Sequence, residues 1–154
     1  MDKLNRVSSW IAIALLGLLV GLCLLGMRFN SPTSDEQNHI SRGYHYLVTG
    51  NLDLNVAPPF VNALSAIPLL FHKGIVMPQY DMTHSRTYIN QFADEFVWVY
   101  NDAETIIHSG RLAIMFLSAL LGYFVFRWAR DLWGAPAGLL ALFLYVLDPN
   151  ILAH

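Results

Sequence analysis

The stretch WIAIALLGLLVGLCLLGM, residues Trp10–Met27, is 18 residues long and carries no charge. At a rise of about 1.5 Å per residue it makes a helix about 27 Å long, close to the hydrocarbon thickness of a bilayer. Lys3 and Arg6 precede it as they would in a secretory leader. The apolar run is longer than such a leader needs, however, and it continues into Met27-Arg28-Phe29 without a small-x-small cleavage site. An uncleaved membrane anchor is the expectation. The rest of the composition agrees: of 154 residues, 55% are hydrophobic and only 13% charged, too little polar surface for a water-soluble globule. A formal net charge of -2 leaves no basic surplus, so nothing points to nucleic acid or to a polybasic lipid tail. Cys23 is the sole cysteine and lies in the apolar run, which excludes an internal disulfide framework and a thiolate metal cluster.

Two more apolar segments lie towards the other end, Leu112–Phe126 between Arg111 and Arg127, and Leu132–Leu147 before Asp148-Pro149-Asn150. Read as further spans, with Tyr123, Trp128, Trp133 and Tyr145 at the interfaces, they give an all-α integral membrane fold of three transmembrane helices, at about 8–28, 109–128 and 132–148. The connection from Arg127 to Pro136 is short enough to force an antiparallel hairpin, with Gly134 and Pro136 able to turn it. Lys3, Arg6, Arg127 and Arg130 then share one side, the cytoplasm by the positive-inside rule. Residues 29–108 become a long, partly helical extracytoplasmic loop. Within it, Pro58–Phe71 is apolar but short and proline-punctuated, which suits an interfacial helix lying flat at the headgroups. Phe96-Val97-Trp98-Val99-Tyr100 reads as an extended or membrane-touching stretch. Gly17 and Gly21 form a small-xxx-small packing motif of little functional content.

The loop opens with chemistry-bearing residues. Thr33-x-x-Glu36 and Ser34-x-x-Gln37 both have capping-box form, so a helix is expected from about Asp35 to Thr49, with Gly50 as its C-terminal cap. Asp35, His39 and Arg42 fall on one stripe at i, i+4 and i+7. Acidic residues in a first turn satisfy the helix dipole and need no further role. The sharper reading is a general base: near a bilayer surface, like charge and partial desolvation favour proton uptake by one carboxylate of a pair. A metal site built on Asp35 and His39, completed by His45, His72, His84 or His108, is the weaker alternative, because the histidines show no tight second cluster. Beyond Gly50, Asn51–Val56 alternates polar and apolar residues before Ala57-Pro58-Pro59 and reads as an extended strap.

The string Asp35-Glu36-x-x-His39-x-x-x-Gly43-Tyr44-x-Tyr46-Leu47-x-x-Gly50-x-Leu52-x-Leu54-Asn55, followed by Pro58-Pro59, resembles the first outer loop of bacterial enzymes of the protein O-mannosyltransferase-like branch of the glycosyltransferase C superfamily. Asn101-Asp102-Ala103, Gly110-Arg111-Leu112, Trp128-Ala129-Arg130-Asp131-Leu132-Trp133-Gly134 and Leu147-Asp148-Pro149-Asn150-Ile151-Leu152-Ala153-His154 look like the later segments of that family, in order. The resemblance implies an enzyme of the bacterial inner (plasma) membrane that moves a sugar from a polyprenyl-phosphate donor to a hydroxyl of a protein, lipid or glycan acceptor on the extracytoplasmic face. It implies Asp35 as the catalytic base with Glu36 beside it, no cofactor, and membrane lipids as surroundings. His39, Pro58 and Pro59 belong to the motif and are substrate-binding candidates. Arg42 and Arg111 are the nearby cations able to hold a phosphate leaving group. Where relatives read His-Pro-Pro, this chain has Ala57-Pro58-Pro59. Family members carry more spans, so the chain is expected to be the N-terminal part of a larger multi-span bundle, with a next acidic motif beyond His154. The alternative is a non-catalytic three-span protein whose outer loop binds or assembles a partner.

Overall fold

The computed structural model describes residues 3–54, 59–79 and 87–153, and among them every regular element is helical. Two compact units emerge, Ser31–Ile114 and the pair of segments Met1–Asn30 and Met115–His154.

The second of these contains α1 (Lys3–Phe29), most of α5 (Ala103–Trp133), α6 (Ala135–Val146) and α7 (Pro149–Ala153). Its core is Ala12 and Leu19 of α1 with Phe126, Leu142 and Val146. Outward-facing residues are also apolar, Trp10, Ile13, Leu25, Phe116, Trp128 and Leu144 among them, and helices apolar all round are those of a large core or of a membrane span. Both α1 and α5 are long and apolar enough to cross a bilayer. The third expected span is not formed as one helix. Most of the expected connection 127–136 is helix, since α5 runs on to Trp133: nothing from Arg127 to Trp133 breaks a helix, and Arg127 pairs with Asp131 one turn on, 3.7 Å away. Gly134, at φ 88°, makes the break alone, and Pro136 sits in the first turn of α6. With 12 residues α6 is about 18 Å long, short of a span. Two glycines allow the close packing here. A Cβ on Gly138 would meet the Phe126 carbonyl oxygen at 2.8 Å, and one on Gly122 would meet the ring of Tyr145 at 3.0 Å. The Tyr145 hydroxyl, expected at an interface, donates instead to the Ser118 carbonyl, 2.9 Å away. A Cβ at Gly17 or Gly21 would meet nothing within 4 Å, so among the described residues no close approach requires a glycine at either position.

The unit Ser31–Ile114 is built on α2 (Ser34–Thr49), α3 (Pro59–Ala66), α4 (Thr87–Asp94) and the start of α5. Helix α2 ends as expected: Gly50 adopts φ 73° and its N–H donates to the Tyr46 carbonyl. The segment after it bends at once, with the Asn51 carboxamide accepting the Asp53 N–H, and no extended strap forms over the described residues up to Leu54. Ala57 and Pro58 lie outside the described residues. Helix α3 tightens into a 3₁₀ turn at Ile67–Phe71, where Pro68 lacks the N–H that an α-helix would use. Its polarity is inverted. Asn62, Ser65, Ala66 and Leu69 are buried, while Phe60, Ile67, Leu70 and Phe71 are exposed. Phe96–Tyr100, expected as extended or membrane-touching, begins as a π-helical turn over Glu95–Val99 that buries Phe96 and Val97 with Ile40, Leu69, Ile106 and Ile107 and leaves Trp98, Val99 and Tyr100 exposed. Asn101 fixes this region: its amide donates to the carbonyls of Val76 and Phe96, and its oxygen accepts the Val76 N–H. Asp102 caps α5 by accepting from the Thr105 N–H and hydroxyl, bonds that hold its carboxyl below the ordinary value.

The crossing of α2 over α3 is the tightest point of the unit. A Cβ on Gly43 would lie 1.8 Å from the backbone oxygen of Asn62, whereas one on Gly110 would strike the end of the Ile40 side chain at 2.3 Å. Backbone cannot rotate away as a side chain can. Gly43→Ala is therefore expected to lower unfolding stability by at least about 3 kcal/mol, the upper end of overpacking, and Gly110→Ala by about 1–2 kcal/mol. Thermal unfolding in detergent checks the order, and equal losses would contradict it.

Candidate functional site

The first turn of α2 separates the two adjacent carboxylates. Thr33 takes the extended backbone of an N-cap, but its hydroxyl caps no backbone N–H, and the expected reciprocal capping box does not close. The reason is the destination of Glu36. Its carboxylate receives a forked pair of hydrogen bonds from Arg111 of α5, Nε to Oε2 at 2.9 Å and Nη2 to Oε1 at 3.1 Å. Arg111 also donates to the Ser31 carbonyl at 3.3 Å, so it ties the loop before α2 as well as the helix. Such a fork is the strong form of a carboxylate–guanidinium contact, and both side chains are largely shielded. The second box, Ser34-x-x-Gln37, is also open. Gln37 reaches α4 and the π turn instead, donating to the Asp94 carboxylate and accepting from the Trp98 indole N–H at 2.8 Å.

Asp35 has the opposite character. It is exposed, and among the described residues no hydrogen bond or ion pair holds its carboxylate. The expected partial desolvation is not supplied by the described residues either. One helical turn on, half-buried His39 has its Nδ1 2.6 Å from Oδ1 of Asn62, which is fully buried at the α2–α3 crossing. A carboxamide oxygen only accepts, so the ring donates from Nδ1.

Arg42, expected beside the site, turns into the protein. It is 6% exposed, and its Nη2 donates to the carboxamide oxygens of Asn38 at 3.0 Å and Asn90 at 3.4 Å, while its buried Nε has no partner among the described residues. Burial lowers its pKa from the ordinary guanidinium value, and the charge of Asp35 two turns earlier works against that shift. Arg42 and Arg111 thus have separate partners. Pro59 is an exposed first residue of α3, and Pro58 lies outside the described residues.

The histidines are dispersed. His45 is buried edge-on against Phe92, His72 Nε2 lies 3.1 Å from the Ser109 hydroxyl, and His108 lies beside Glu104 on α5. His84 lies outside the described residues. Among the described residues no three of His, Cys, Asp and Glu converge as a metal site would require.

Asn62, Gln37, Asp94 and Trp98 are the site neighbours that sequence reading missed. Asn62 had a readable signal, since with Ser65 it is one of two polar residues in the apolar stretch Pro58–Phe71. A polar residue recurring at the spacing of one helix turn marks the face that must find a hydrogen-bonding partner. No family model, curated protein or solved structure matches the chain.

Two measurements follow from this geometry. In a double-mutant cycle of Glu36→Gln and Arg111→Met, unfolding free energies should give a coupling of about 1–2 kcal/mol, between the values typical of exposed and buried pairs; additivity would mean that the fork contributes nothing. For His45, burial lowers the pKa from the usual 6.5, ahead of the opposing contributions of the Asn51 backbone and Asp53. Folding favours the neutral ring, so its stabilisation is complete above pH 6.5 and is lost as the pH falls below that value. His45→Gln should flatten the decline of melting temperature on that acid side, and an unchanged decline would place its origin elsewhere.

Proposed function

We propose that the chain is the N-terminal part of an integral membrane glycosyltransferase that moves a sugar from a polyprenyl-phosphate donor to an acceptor hydroxyl with inversion. The observation that carries the proposal is the asymmetry of the acidic pair: Glu36 is forked by Arg111, while the carboxylate of Asp35 beside it has no hydrogen bond or ion pair among the described residues. A carboxylate already saturated by a guanidinium has its lone pairs engaged, whereas one without such a partner keeps them available to an acceptor hydroxyl. In the reaction, Asp35 takes the proton of the acceptor hydroxyl as its oxygen bonds to the anomeric carbon. The bond from that carbon to the phosphate oxygen breaks on the opposite face, and the electron pair leaves with the lipid phosphate. Glu36 and Arg111 serve as the brace that holds the first turn of α2 in place.

Placement at a bilayer is supported by two features. Asp35 follows the last residue of α1 by six positions, so even a fully extended connection keeps it within about 20 Å of that helix end. Helix α3 and the 3₁₀ turn that continues it carry exposed Phe60 and Phe71 where a helix in water would carry charge, as an interfacial helix does. The proposed orientation puts the N-terminus in the bacterial cytoplasm and residues 29–108 on the extracytoplasmic face, with Arg127 and Arg130 inside.

In the full-length protein, Asp35→Asn is expected to lower transfer from a lipid-linked sugar by about 10³-fold while membrane insertion is retained. Glu36→Gln should lower stability together with activity. Near-normal turnover of Asp35→Asn refutes the assignment. A cysteine at position 35 that reacts with an impermeant reagent only after cells are opened refutes the orientation.

A further inference from the structure

The geometry points to an acceptor that presents two neighbouring hydroxyls, the vicinal diol of a sugar ring, held jointly by Asp35 and His39. This rests on the transferase reading and adds the chemical class of the acceptor.

Asp35 and His39 are one helical turn apart on α2, so their Cβ atoms lie about 5–6 Å from each other. Both present hydrogen-bond acceptors. The Asp35 carboxylate has no described partner, and the His39 ring is oriented by a built contact, because Nδ1 donates to the oxygen of Asn62. Asn62 is itself fixed, being fully buried where its own backbone oxygen presses on Gly43. With a single ring proton on Nδ1, the lone pair lies on Nε2, for which no partner is found among the described residues. Arg42, the donor of the same stripe, is turned inward to Asn38 and Asn90, and the two acceptors left beside each other match two hydroxyl donors. One hydroxyl gives its proton to Asp35 and becomes the nucleophile. Its neighbour donates a hydrogen bond to Nε2 and fixes the ring that carries both. A serine or threonine side chain has a single hydroxyl and would leave Nε2 unanswered, while a glycan answers both. His39 is on this reading a specificity residue, and Asn62 positions it.

The test uses the full-length protein in lipid nanodiscs with a polyprenyl-phosphate sugar as donor. The acceptors are a methyl glycoside bearing vicinal hydroxyls, its mono-deoxy analogue lacking the neighbouring hydroxyl, and a serine/threonine peptide. The wild type should show a KM about tenfold lower for the diol than for the deoxy analogue, the worth of one neutral hydrogen bond, and His39→Phe should bring that ratio to about one. Nitrogen-15 spectra of the histidine ring should place the proton on Nδ1 of His39 in the wild type and distribute it over both nitrogens in Asn62→Leu. Equal KM values for the two glycosides in the wild type would overturn the proposal, as would transfer to the peptide alone or a ring protonated on Nε2. Transfer to glycosides with a ratio indifferent to His39→Phe would overturn the role of His39 while the transferase reading stands. Release of sugar to no acceptor, water included, would overturn that reading and this inference with it.

Discussion

The unit that carries the acidic pair depends on one close contact, Gly43 of α2 against the backbone of Asn62 in α3. Only a residue without a Cβ permits this approach, and much of the surrounding structure follows from it. With the helices this near, Asn62 is sealed from water and must be answered, and His39 answers it. The polar face of α3 is thereby turned inward. Its apolar face has to point out, which in water would be unfavourable and at a lipid boundary is not.

The second organising interaction is the fork between Arg111 and Glu36. It makes the two adjacent carboxylates unlike, engaging Glu36 and, among the described residues, leaving Asp35 without an ion pair. The same arginine reaches the Ser31 carbonyl, so the entry to α2, its first turn and α5 are fixed together. Arg42 shows the contrasting case. It is the more buried cation, yet amide oxygens rather than a carboxylate surround its Nη2, a costlier way to hold a charge than the fork offers.

The helical class, the two long apolar helices, the span of α2 and its Gly50 cap were all legible, because each rests on local signals: hydrophobic length, first-turn acids and a glycine able to adopt positive φ. What escaped was non-local. The capping boxes have the right letters, but Glu36 and Gln37 have better partners 75 and 61 positions away, and no local pattern reveals such competition. The expected connection from Arg127 to Pro136 shrank to Gly134, one of the two turn formers named for it, for a related reason. Charged residues there looked like punctuation, whereas Arg127 and Asp131 support a helix at their spacing and only Gly134 ends it. Within the site, Asp35 and His39 were found by pattern and Arg111 by charge. Asn62 was overlooked although Ser65 one helix turn on marks the same face, because the stretch Pro58–Phe71 was weighed by its apolar residues alone.

The π-helical turn at Glu95–Val99 has a consequence for how the unit evolves. Such a turn is an ordinary helix that has absorbed one surplus residue, so the chain beyond it is rotated by about 100° from the register that precedes it. That offset aims the Trp98 indole at Gln37 while Phe96 and Val97 still reach the interior. Restoring the regular helix by losing one position would swing the indole off its partner and unseat the two core side chains together. Amino-acid replacements around this bend can therefore be absorbed one at a time, whereas changes of length there alter everything downstream at a stroke.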